Sequence, residues 1–175
     1  MRPGPRYRVA FRRRREARTD YRARLKLLSS GQPRAVVRFT HGRVWVAVTT
    51  FDPVGDRIVA AADSHELTRV GFPPHGLVST PASYLTGYLA GLRAKGAGQS
   101  EAVLDAGLRR PTPGGRIQSA LKGLLDAGLE IPHGDGGLPS NDRLNGTHLK
   151  PPLPAPLETY RQKLPTIATR TAEAA

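Results

Sequence analysis

The sequence predicts one α/β domain: a mixed sheet, begun by an antiparallel three-strand meander, with helices packed on it. A basic N-terminal arm precedes the domain and an extended segment follows it. Three observations predict this. Three β-rich runs succeed one another across short, turn-rich links between residues 34 and 63. Two apolar stripes at helical spacing come later, separated by a fourth β-rich run. Basic residues crowd the first 26 positions, whereas Gly and Pro crowd the region after residue 132. The chain therefore divides into an arm (1–30), a globular domain (31–132) and a Gly/Pro-rich extension (133–175).

The meander begins with Arg34 to Thr40 (RAVVRFT), which alternates and is rich in β-formers. His41-Gly42 is a tight turn, and Arg43 to Asp52 (RVWVAVTTFD) is the second strand. Asp52-Pro53-Val54-Gly55-Asp56 is a strong turn, leading to a third strand over Arg57 to Asp63. Thr80-Pro81 opens a helix with Thr80 as N-cap, Leu85, Tyr88, Leu89 and Leu92 as its stripe, and Gly96 at its close. Gly87 and Gly91, four apart within it, imply close packing against the sheet or a neighbour. Ala102 to Leu108 is the fourth strand. A second helix spans about Gly115 to Ala127, with Gly128 just beyond its end, and Leu129 to Pro132 adds a short strand. Leu157 to Lys163 allows one or two helical turns. The closing TIATRTAEAA reads as a loose tail, ordered against a partner.

The chain has 175 residues, a formal charge of +13 and no cysteine, which excludes disulfides, thiolate metal sites and cysteine nucleophiles. No run of about 20 apolar residues is present, so no membrane span is expected. Residues 1–26 hold ten Arg and one Lys against only Glu16 and Asp20. Such an arm meets a polyanion, and nucleic acid is the favoured one. A solvated basic helix and a localisation address are the plain alternatives. Met1 to Arg8 is extended by Pro3, Gly4 and Pro5. From about Arg13 to Leu28 a helix is predicted, with Ala17, Tyr21, Leu25 and Leu28 on one stripe and Arg14, Arg18 and Arg22 in a row. Tyr7, Phe11 and Tyr21 interleave the arginines, as suits stacking on unpaired bases. Tyr21 lies on the apolar stripe, which favours the core.

No phosphate-binding loop, nucleophile elbow or zinc-helix motif occurs. His41, His65, His75, His133 and His148 are scattered without metal-ligand spacing. Asp105 with Asp52 or Asp63 is the one candidate carboxylate set for a metal-dependent nuclease; turn or cap roles are the simpler account.

RRRREARTDYRARLKLLSSGQPRAVVRFT resembles the opening of the universal large-subunit ribosomal protein number eighteen family, in its archaeal form. The similarity continues through GDRIVAAADSHEL, PASYLTGYLAGLRAKGAG and AVLDAGLRRPTPGGRIQSALKGLLDAGLEIPHGD, and PSNDRLNGTHL resembles the family's closing motif. It covers about residues 6–150. The resemblance implies a cytoplasmic ribosomal protein, not an enzyme, that binds 5S rRNA in the central protuberance. It implies further contacts with 23S rRNA and neighbouring large-subunit proteins, and a ribonuclease-H-like arrangement without the metal-binding acids. No cofactor, metal, membrane or small-molecule substrate is implied. Carried over by position, the RNA-binding residues are Arg6, Tyr7, Arg8, Arg12, Arg13, Arg14, Arg15, Arg18, Tyr21, Arg22 and Arg24, with Asp20 among them. Arg43, with the Thr40–Gly42 turn, adds contacts from the sheet, and Arg143, Gly146 and His148 match the closing motif. Residues 72–79 (FPPHGLVS) are richer in proline than the family pattern, which leaves that loop's path open. A DNA-binding or generic polycation module is the remaining alternative.

Overall fold

After Pro33 the chain alternates small and branched side chains, and the alternation sorts them onto two faces of a sheet. The computed structural model describes Gly4, residues 6–134 and residues 136–172. Strands β1 (Arg34–Phe39), β2 (Val44–Thr50) and β3 (Arg57–Asp63) form the antiparallel meander. β4 (Val103–Asp105) pairs in parallel with β1, giving the order β3-β2-β1-β4. The expected fourth strand is thus cut to three residues, because Gly107 turns the chain away at φ +64°. The short strand expected at 129–132 is reduced to a single bridge between Glu101 and Glu130.

Six α-helices stand among the described residues: α1 (Arg12–Arg15), α2 (Tyr21–Ser29), α3 (Thr80–Gly96), α4 (Arg116–Asp126), α5 (Asn141–Leu144) and α6 (Leu157–Ala172). Val44, Val46, Val48, Ala60 and Ala62 face α3 from one side of the sheet, and Ala35 and Val37 of β1 share that side and its core. The other sheet face carries Arg34, Arg38, Trp45 and Asp105. α3 is buried well beyond the expected stripe, since α4 and α6 cover the sides that the sheet leaves open.

Gly87 and its neighbours explain how close α4 comes. A Cβ on Gly87 would stand 2.2 Å from the Ala120 carbonyl oxygen, and one on Gly123 would stand 2.1 Å from that of Tyr84. The two helices touch backbone to backbone, so the close packing expected of Gly87 and Gly91 is against a helix rather than the sheet. The α3 cap lies one residue earlier than expected: Ser79 Oγ accepts from the Ala82 N–H at 3.3 Å. α3 does end at Gly96 as expected, and the left-handed glycine that follows is Gly98 (φ +79°). Gly128 does close α4 as expected (φ +92°): its N–H and that of Leu129 donate back to Leu125 and Leu124, capping the last turn.

The C-terminal extension departs most from expectation. α6 continues past Lys163 for another nine residues, with Pro165 inside it. Leu157, Tyr160, Leu164 and Ile167 are buried, and the Tyr160 ring meets Phe72 edge-on at 5.2 Å. The proline-rich loop after Gly71 supplies that partner: Phe72 and Leu77 fold into the core around a 3₁₀ turn at Pro74–Gly76. The segment thus packs against its own domain as far as Ala168. Met1, Arg2, Pro3, Pro5 and Asp135 lie outside the described residues, as do residues 173–175 of the expected tail.

Candidate nucleic-acid interface

The arm is two helices rather than one. α1 holds the four consecutive arginines and stops, and Ala17 takes a left-handed conformation (φ +48°). Like charges at i, i+4 disfavour extending that helix. Asp20 then starts α2 by accepting from the N–H groups of Arg22 and Ala23, both at 3.0 Å. A side chain so suited to capping competes with helix interior, which breaks the predicted Arg14, Arg18, Arg22 row. Neither helix buries a residue. Tyr21 is 43 % exposed, so its expected place in the core is not where it sits. Tyr7 is 61 % and Phe11 90 % exposed.

Charge dominates this surface. Glu16 takes an ion pair from Arg12 at 2.9 Å and another from Arg18 at 2.7 Å, so one carboxylate serves two guanidiniums. Arg13 donates to Thr19 Oγ1 at 2.8 Å. Among the described residues no side-chain partner meets Arg14, Arg15 or Arg22. Arg6 and Arg8 stand exposed in the extended lead-in.

Among the described residues, Arg24 makes the one side-chain ion pair from α2 to the domain, and it does so through a chain of ions. Its Nη2 reaches Asp56 at 2.9 Å. Asp56 also pairs with Arg34, which is buried; Arg34 meets Asp105 at 2.8 Å, and Asp105 meets Arg38 at 2.8 Å. Burial pushes the Asp105 carboxyl up, but Arg38, the Gly107 N–H and Arg34 outweigh it and hold it below the usual carboxylate range. Asp56 is lowered in the same way, with Arg24 and Arg34 outweighing desolvation.

This pairing removes the nuclease reading. Asp105 is neutralised by arginines, and Asp63 pairs with Arg43 at 3.1 Å while capping the turn that follows β3. Asp105 and Asp63 lie on opposite edge strands, three steps of about 4.8 Å apart across the sheet. Asp52 lies beyond the other end of β2. Among the described residues no cluster of acids and histidines is arranged to hold a metal ion.

A groove of about 650 Å³ runs between the arm and the β1–β4 side of the sheet. Arg13, Arg18 and Lys26 line it from the arm, and Arg38, Phe39 and Arg109 line it from the domain. Of the expected residues, Arg13, Arg18, Asp20 and Arg24 meet there; Arg43, Arg143 and His148 do not line it. Arg43 sits at the β1–β2 turn. Arg143 and His148 are exposed around α5, where Arg143 Nε donates to the Gly114 carbonyl at 2.7 Å. Arg38, Phe39 and Arg109 were not singled out by sequence, although Arg109-Arg110 in a Pro/Gly loop is a visible basic step.

Residues 5–97 and 93–134 match the family described as ribosomal large subunit proteins 60S L5 and 50S L18. The chain belongs to this family. It is 52 % identical over 149 residues to the large ribosomal subunit protein uL18 of Methanoregula boonei, covering 85 % of each chain. It is 51 % identical over 144 residues to the protein of the same name from Korarchaeum cryptofilum, covering 82 % of this chain and 73 % of that one. Against the uL18 of Haloarcula marismortui the identity is 50 % over 150 residues, covering 85 % and 79 %. This is a family of structural proteins, not of enzymes. No helix among the described residues is long and apolar enough to cross a membrane.

Proposed function

We propose that this protein is a constituent of the large ribosomal subunit that binds 5S rRNA and helps mount it in the central protuberance, with added contacts to 23S rRNA and neighbouring proteins. As such it works in the cytoplasm. The observation that carries the reading is the exposed arginine arm on a chain of this family: α1 and α2 present guanidiniums that outnumber the carboxylates beside them and bury no apolar residue. An anionic backbone resolves that imbalance.

Binding here is positional, not catalytic. Arg6, Arg8, Arg12, Arg13, Arg14, Arg15, Arg18, Arg22 and Arg24 neutralise phosphates and release counterions. Each phosphate so held adds roughly 0.7–0.9 to the log–log salt slope. Tyr7 and Tyr21 stack on unpaired bases, and the domain sets the arm's register. Arg43, Arg143 and His148 add contacts from the domain.

Competition binding tests this. In filter binding, unlabelled 5S rRNA should displace labelled 5S rRNA at concentrations orders of magnitude below those required of duplex DNA of equal length. Equal competition would leave only a generic polycation.

A further inference from the structure

Charge is also gathered on the domain, across the groove from the arm. Phe39 ends β1 with two cations over its ring: the Arg109 guanidinium lies 5.7 Å from the ring centroid and that of Arg116 lies 5.1 Å from it. Both arginines are exposed, as is Arg110 beside them. The ring face attracts each cation but leaves their mutual repulsion uncompensated. Among the described residues no carboxylate pairs with either arginine. Asp105, four residues before Arg109, is already held by Arg34 and Arg38. Hydrogen bonds fix the pair in place: Arg109 Nη2 donates to Phe39 O at 3.5 Å and Arg116 Nη1 to Val78 O at 3.2 Å. The loop between them is pinned by Arg143 through Gly114. Arg109 and Phe39 also form the domain wall of the groove whose other wall is the arm.

We propose that Arg109 and Arg116, gathered at Phe39, are a second docking platform that holds RNA backbone phosphates, so that the RNA is clamped between arm and domain. A planar guanidinium fork suits phosphate oxygens, and two forks gathered at one ring suit neighbouring phosphates. Arg143 is a positioning residue for this platform. The inference rests on the RNA-binding reading above and adds the second wall of that site.

The test uses the full-length protein and 5S rRNA, with binding measured across a salt series and contacts mapped by hydroxyl-radical footprinting. The double variant Arg109→Gln/Arg116→Gln should bind about tenfold more weakly at moderate salt, with a log–log slope shallower by roughly 1.5. Its lost protection should form a patch distinct from the one lost on neutralising the arm. Arg109→Lys/Arg116→Lys should retain the slope, and Arg57→Gln, on the far edge strand, should change neither quantity. Wild-type affinity and slope in the Gln pair would overturn the platform, leaving an acidic protein segment as the occupant. A Lys pair as weak as the Gln pair would also overturn it, because the loss would then lie in packing on Phe39. Should the wild type fail to prefer 5S rRNA over unrelated RNA, the functional reading fails instead. The change in slope on any RNA would still report the platform.

Discussion

The two ends of the chain carry helices of like periodicity and opposite fate. Tyr21, Leu25 and Leu28 recur along α2 much as Leu157, Tyr160, Leu164 and Ile167 recur along α6. The α6 stripe is buried, whereas Leu25 is 69 % exposed. The difference lies in what accompanies each stripe. α2 and α1 bear arginines whose desolvation would cost more than a short stripe returns. α6 bears mixed charges, and α3 with the Phe72 loop offers it an apolar seat. A helix that buries nothing in its own protein, yet is well capped and tied down by Arg24, is built for a partner.

The comparison can be broken most directly at the arm. Replacing Arg12, Arg13, Arg14 and Arg15 by Gln should weaken 5S rRNA binding roughly a thousandfold at moderate salt, or about 4 kcal/mol. The melting temperature should hardly move. A lowered melting temperature would mean that the arm belongs to the fold after all.

The joint between the two regions is the next largest effect. Asp105→Asn leaves Arg34 buried with one carboxylate fewer and should destabilise the domain by about 3–4 kcal/mol in urea unfolding. The pH sign follows from the lowered carboxyls of Asp105 and Asp56. Their stabilisation is present above the unfolded carboxylate pKa and is lost as pH falls below it through the folded value. The wild type should therefore lose stability on acidification in that window, and Asp105→Asn should lose less.

Truncation at the other end sharpens the contrast. Leu164→Ala should cost about 2–3 kcal/mol of unfolding free energy by leaving a cavity against α3, with RNA affinity intact below the melting transition. The smallest effect belongs to the exposed stripe of α2: Leu25→Ala should shift stability by no more than about 0.5 kcal/mol. A larger cost would reveal a packing partner for α2 within the chain.

Much of the fold was legible. The three meander strands, α3, β4 and α4 follow from alternation, helical spacing and turn residues, and Arg57 to Asp63 is matched to the residue. The unread extents of β4 and α6 share one physical cause, which is that they depend on contacts distant in sequence. The length of β4 depends on pairing with β1. The length of α6 depends on Phe72, some 90 residues earlier. The single predicted arm helix ignored Asp20, whose capping role was readable from its place before Tyr21. Of the candidate site, the arm's arginines stood out as a charge run. Arg38, Phe39, Arg109 and Arg116 did not, because they come from three separate segments and become neighbours only when β1, β4 and α4 pack.

The sequence alone determined the polarity of this protein: a cationic arm, a mildly basic domain, and the motifs that place it in its family. Those properties are local, set by side-chain charge and by spacing along a few turns. Only the tertiary structure decided which apolar stripe is covered, which carboxylates are already spent on arginines, and which arginines outside the arm face one another. Burial and ion pairing are properties of neighbours in space, and neither can be counted along a chain.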